Sequence, residues 1–181
     1  MLKNLNKIVL ITLAMTLCVI VLGSYTRLKD AGLGCPDWPG CYGKIFAPSI
    51  TEGFSQSAST KAWIEMIHRY VAGTLGLLIV YIAVLGVHLR SKHPKLWIIT
   101  TSALLLVIYQ ALLGMWTVTL TLNPVIVMGH LLGGFTILSV LWWIYLQLNR
   151  SKFELRANIS HKNSLLFFSG ICAFALVTQI A

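Results

Sequence analysis

The sequence predicts an all-α fold, a polytopic membrane helix bundle, and three observations predict it. Mean hydropathy is +0.80. Of the 181 residues 57% are hydrophobic and only 10% are charged, whereas about a quarter of a soluble domain is charged. Apolar stretches of about eighteen residues or more recur along the chain. In a bilayer such stretches are helices, because each backbone N–H and C=O must be bonded within its own segment. The expected architecture is a four-helix half-unit with a truncated fifth helix: a four-span unit over residues 1–150, then a connector and the start of another span over 151–181.

The first span runs from about Ile8 to Tyr25 behind a basic opening, Met1 to Lys7. A signal peptide opens in the same way, but this apolar stretch is too long and Gly23-Ser24-Tyr25-Thr26-Arg27 is a poor cleavage site, so the span is retained. Three further spans run from about Ala62 to Leu89, Leu96 to Leu120 and Pro124 to Leu148, and a fifth from Ser164 to the last residue. Lys3, Lys7, Arg90, Lys92, Lys95, Arg150, Lys152, Arg156 and Lys162 fall on one side; Arg27, Lys29, Lys44, Lys61 and Arg69 fall on the other. The richer side is expected to be cytoplasmic, with the N-terminus inside and the long loop outside. The +9 net charge is mostly this asymmetry. No basic cluster interleaved with aromatics points to nucleic acid. The bilayer is the expected surrounding.

The loop over about residues 26–61 contains Gly34-Cys35-Pro36-Asp37-Trp38-Pro39-Gly40-Cys41-Tyr42-Gly43. Two cysteines with prolines and glycines to turn the chain, on the side where thiols oxidise, predict a Cys35–Cys41 disulfide. Metal binding is the weaker alternative, because a zinc site wants four ligands and the loop has no histidine. The spacing leaves open whether the bond is structural or redox-active. Cys18 and Cys172 fall inside apolar spans and are expected to be small buried hydrophobes.

Ionisable groups at membrane depth are costly, and each is a functional hypothesis. His68 and His130 both lie about six residues into their spans from the outer end, so both sit roughly 9 Å below the start of their helices. Two imidazoles at one depth on separate helices can face each other across a flat macrocycle. Ordinary interhelical hydrogen bonding is the competing reading. Gly73 and Gly76 follow His68, and Gly129, Gly133 and Gly134 surround His130. Such positions admit the edge of a porphyrin, or else serve close helix packing, as at Ala72 and Gly76. Glu65, an acid within a span, precedes His68 by three residues and shares its face. Either it pairs with Arg69 as a simple ion pair, or it stands at the rim of the bound group with Arg69 available to a propionate.

The segments Gly34-Cys35-Pro36-Asp37-Trp38-Pro39-Gly40-Cys41, Glu65-Met66-Ile67-His68-Arg69, Gln110-Ala111-Leu112-Leu113-Gly114 and Gly129-His130, in this order, resemble haem A synthases. That family is built from two similar four-helix halves, and the chain resembles the first half plus the start of the second. The resemblance implies a membrane-bound oxidoreductase of the cell's inner (plasma) membrane. It would oxidise the C8 methyl of haem O to the formyl group of haem A for cytochrome oxidase biogenesis. It further implies that His68 and His130 ligate or steer haem O through its iron and that Glu65 acts on the rim. A haem b would belong to the missing second half. A haem O synthase and an electron donor are the implied partners, and the Cys35–Cys41 disulfide is implied in haem transfer or electron flow. Two rival classes are a bis-histidine membrane cytochrome b and a quinone-linked thiol oxidoreductase. Glu65 speaks against the first, and the lack of a second outer cysteine pair against the second.

Overall fold

The computed structural model describes residues 2–150, and the fifth expected span and Cys172 lie outside them. Four long helices follow one another: α1 Leu2–Leu28, α2 Gln56–His88, α3 Pro94–Thr119 and α4 Pro124–Leu148. Each is long and apolar enough to cross a membrane. Among the described residues there is no strand, only one isolated bridge between Cys41 and Lys44. The chain is therefore a polytopic helix bundle. The main departure from the hydropathy reading is at α2, which starts at Gln56 rather than near Ala62. Its early turns are polar, so hydropathy did not count them, and they carry the long loop.

The helix ends are set locally. Ser55 caps α2, its hydroxyl accepting from the Ala58 N–H at 3.2 Å, as small polar N-cap residues do. Pro94 and Pro124 open α3 and α4, where a missing N–H costs nothing. The α3–α4 connection is short. Thr121 and Leu122 take positive φ of 49° and 58°, and the Leu122 N–H returns to the Thr117 carbonyl at 2.8 Å.

α1 packs on α2 and α2 on α3. The α1 contact stripe is Leu5, Val9, Thr12, Leu13 and Thr16, all buried, at helical spacing. The threonines turn their hydroxyls back to their own helix, Thr12 to Ile8 and Thr16 to Thr12, so no polar group is left facing an apolar neighbour. α2 and α3 meet closely at Gly86, where any Cβ would strike Thr100. Small residues bring membrane helices together in this way. Sequence had suggested Ala72 and Gly76 for that role, yet Gly76 faces open space. Outward faces are apolar, with Ile11, Leu17, Val21, Leu77 and Leu105 exposed. Cys18 is also exposed. The expectation that it is buried fails because it lies off the α1 contact stripe, on the face left for lipid.

Candidate functional site

Two constellations are built near the loop end of the bundle. The first is the loop itself. The Cys35–Cys41 disulfide is formed, with Cα atoms 4.8 Å apart, and lies in a buried cluster with Ala47, Ala62 and Met66. After Cys41 the chain reverses through Tyr42 and Gly43, both at positive φ, and Cys41 and Lys44 exchange backbone hydrogen bonds of 2.8 and 3.1 Å. Paired positive-φ residues make this tight reversal. The Asp37 carboxylate accepts from the N–H groups of Gly43 at 2.7 Å and Tyr42 at 2.6 Å. Those bonds, Gly43 first, hold its pKa below the usual carboxylate value.

Glu65 and Arg69 fasten this loop to α2. Glu65 is buried at 4% exposure. One carboxylate oxygen accepts the Cys35 N–H at 2.9 Å and the other pairs with Arg69 at 2.5 Å. The Arg69 guanidinium also donates to the carbonyls of Asp37 at 2.9 Å, Pro39 at 3.3 Å and Gly40 at 2.6 Å. The i, i+4 ion pair is thus present, and it is nearly dry, so removing one partner would strand a buried charge and cost more than breaking an exposed pair. Arg69, expected to be available to a propionate, donates to the loop carbonyls through one guanidinium nitrogen and to Glu65 through the other. Gly34 completes the contact: a Cβ there would come within 2.6 Å of the Lys61 backbone.

The second constellation is the histidine pair. His68 on α2 lies against Gly23 of α1, where a Cβ would be 3.1 Å from the ring Cε1; His130 on α4 lies against Gly114 of α3 in the same way, also at 3.1 Å. Four residues before each glycine, the carbonyls of Val19 and Gln110 stand beside the respective rings. In both rings Nδ1 is sealed from solvent without closing a hydrogen bond of good geometry, while each residue as a whole is only half-buried. Two rings that seal Nδ1 toward a neighbouring helix and keep Nε2 unsealed have the usual disposition of metal-ligating histidines. No group of three or more His, Cys, Asp or Glu side chains assembles among the described residues. Two imidazoles alone suit a metal whose other ligands come from a macrocycle. The residues present therefore fit a haem.

The glycines divide by role. Gly73 and Gly76 face open space, whereas a Cβ at Gly133 would strike Gln110 and one at Gly129 would meet Leu113 at 3.8 Å. Sequence reasoning missed Gly23 and Gly114 as seats for the rings, and Gln110 as their neighbour. A detectable signal was present: an amide in an apolar span, four residues before a glycine. An open surface cavity of about 520 Å³, lined by Lys29, Gln56, Ser57, Thr60, Lys61 and Ile64, involves neither histidine.

Residues 6–181 match the family described as cytochrome oxidase assembly protein. Among curated relatives, a protein of Shewanella oneidensis named heme A synthase is 45% identical over 179 residues, covering 94% of this chain and 53% of the relative. Proteins of the same name from Shouchella clausii and Oceanobacillus iheyensis are 29% and 31% identical, covering 76% and 65% of this chain and 42% and 36% of theirs. The chain spans about half the length of the curated relatives it matches. Its helices, histidine pair and disulfide loop, with a match over nearly its whole length, make it a member of the cytochrome oxidase assembly protein family.

Proposed function

We propose that this chain is the haem O-binding half of a haem A synthase, a membrane oxidoreductase that converts the C8 methyl of haem O to a formyl group. The observation that carries the reading is the histidine pair, each residue half-buried and its ring seated on a glycine of the preceding helix. The relatives named heme A synthase support the reaction. In this reading His68 and His130 would hold the iron of the substrate. The haem b cofactor would belong to a second half. It supplies electron transfer when bound.

Oxidising a methyl to a formyl group with oxygen from water, R–CH3 + H2O → R–CHO + 4 H+ + 4 e−, passes its electrons to an acceptor; where dioxygen supplies the oxygen instead, an electron donor reduces the second oxygen atom to water. Glu65 is the acid placed to assist. It is one helical turn from His68, and its charge is fixed in place by Arg69 and the Cys35 N–H. From there it stabilises positive charge developing at the rim or receives a proton. A second reading is favoured by the same contacts: both carboxylate oxygens are already engaged, so Glu65 acts as the anchor of the loop.

The remaining assignments follow from the same reading. The N-terminus lies in the cytoplasm and the disulfide loop outside the plasma membrane, which suits the charge asymmetry and an oxidised cysteine pair. Residues 1–150 form the haem-binding half and 151–181 lead into the next. Substrate comes from an enzyme that farnesylates protohaem. An electron donor completes the set.

Glu65→Gln separates the two roles. The variant and the wild type are each made in the full-length protein and expressed in cells that make haem O but lack their own haem A synthase, and extracted haems are resolved by chromatography. The expected result is retained haem O with no haem A. Normal haem A overturns the catalytic role of Glu65, and loss of all haem makes it a loop anchor only.

A further inference from the structure

We propose that Gln110 is the positioning residue for His130, a latch between α3 and α4 that sets the height and rotation of the ring; the inference rests on the proposed haem ligation. Of the four described helices α4 is the least enclosed, with 11% of its most apolar window buried against 28% for α2. Apolar contact alone therefore fixes it weakly. A polar contact inside the bundle does what the missing contact does not. The Gln110 Nε2 donates to the His130 backbone carbonyl, and its Oε1 is buried where a Cβ of Gly133 would be. Gly133 is thus a notch for the amide and not an opening for a porphyrin edge. The same residue presents its own carbonyl beside the His130 ring, and one turn further on Gly114 lies beneath that ring. Three contacts from one turn of α3 therefore converge on residue 130.

The amide's orientation is fixed by its partner. With Nε2 and Oε1 exchanged, two carbonyl oxygens would face each other, so Oε1 is left without a donor. A buried acceptor without a partner costs folding energy, and an apolar residue of similar shape would avoid that cost. A residue that serves stability alone would be Leu here. Gln110 is explained by what it does to His130.

The test uses the membrane-purified chain loaded with haem and read by electron paramagnetic resonance, whose low-spin signal follows the relative rotation of the two imidazole planes. In Gln110→Leu the low-spin signal should shift or give way to high spin, and haem affinity should fall roughly tenfold, as on loss of outer-shell support. Gly133→Ala, whose Cβ displaces the amide, should reproduce the spectral change; Gly134→Ala, whose Cβ would meet Gln110 only at 3.7 Å, should not. A wild-type signal and affinity in Gln110→Leu overturns the proposal, as does an equal change in the Gly133→Ala and Gly134→Ala proteins. Absence of a histidine-ligated signal in the wild type would show that the proposed function itself has failed, and the latch fails with it.

Discussion

The α1–α2 and α3–α4 pairs solve one problem in one way and differ in everything around it. In each, the second helix carries a histidine whose ring lies on a glycine of the first, and a backbone carbonyl one turn earlier stands beside the ring. Their connections have nothing in common. α1 and α2 are joined by a disulfide loop that Glu65 and Arg69 fasten down, while α3 and α4 are joined by the turn from Leu120 to Asn123 and latched by one amide. The difference teaches that seating a ring needs only two helices, a glycine and a carbonyl. The charged apparatus of the first pair does something else: it fastens the disulfide loop to α2.

The largest effect is expected from breaking the charged apparatus. Arg69→Met leaves the Glu65 carboxylate buried without its cation and should cost about 3 kcal/mol, read as a lowered midpoint of unfolding in detergent. Adding Glu65→Gln should recover part of that loss, because the stranded charge goes with it. Additive losses in the double variant would mean that the two residues act separately. No substitution in the Leu120–Asn123 turn should match this effect.

A smaller effect tests the glycines. Gly86→Ala forces a Cβ onto Thr100 and should destabilise by roughly 1–3 kcal/mol. Gly76→Ala meets nothing within 4 Å and should be neutral or slightly stabilising through helix propensity. Equal losses at both sites would contradict the packing described.

The smallest effect is a pH dependence confined to the first pair. The folded pKa of Asp37 lies below its unfolded value, so its contribution is present above the unfolded pKa and is lost as pH falls through the folded one. Protection of the loop from proteolysis should therefore decline in acid, starting below about pH 4. In Asp37→Asn that decline should disappear. The α3–α4 turn has no carboxylate and should show none.

Much of this was legible in the sequence. Hydropathy located all four described spans, and α4 to the residue, because proline marks its start. The disulfide was legible from two cysteines among prolines and glycines. Less legible was what each residue touches. Arg69 reads as a cation available for an anionic ligand, but only the path of the folded loop brings the carbonyls of Asp37, Pro39 and Gly40 to it. Gly76 and Gly86 look alike in sequence, and helix crossing decides which one is in contact. Cys18 reads as buried because hydropathy does not distinguish lipid from protein.

The central claim is that His68 and His130 hold one haem between them, each using the free nitrogen of a ring seated on a glycine. It is tested most directly by the spin state of haem bound to the purified chain and to His68→Ala and His130→Ala. A low-spin, two-histidine spectrum in the wild type that turns high-spin in both single variants is the predicted result. A spectrum unchanged by either substitution would contradict the account.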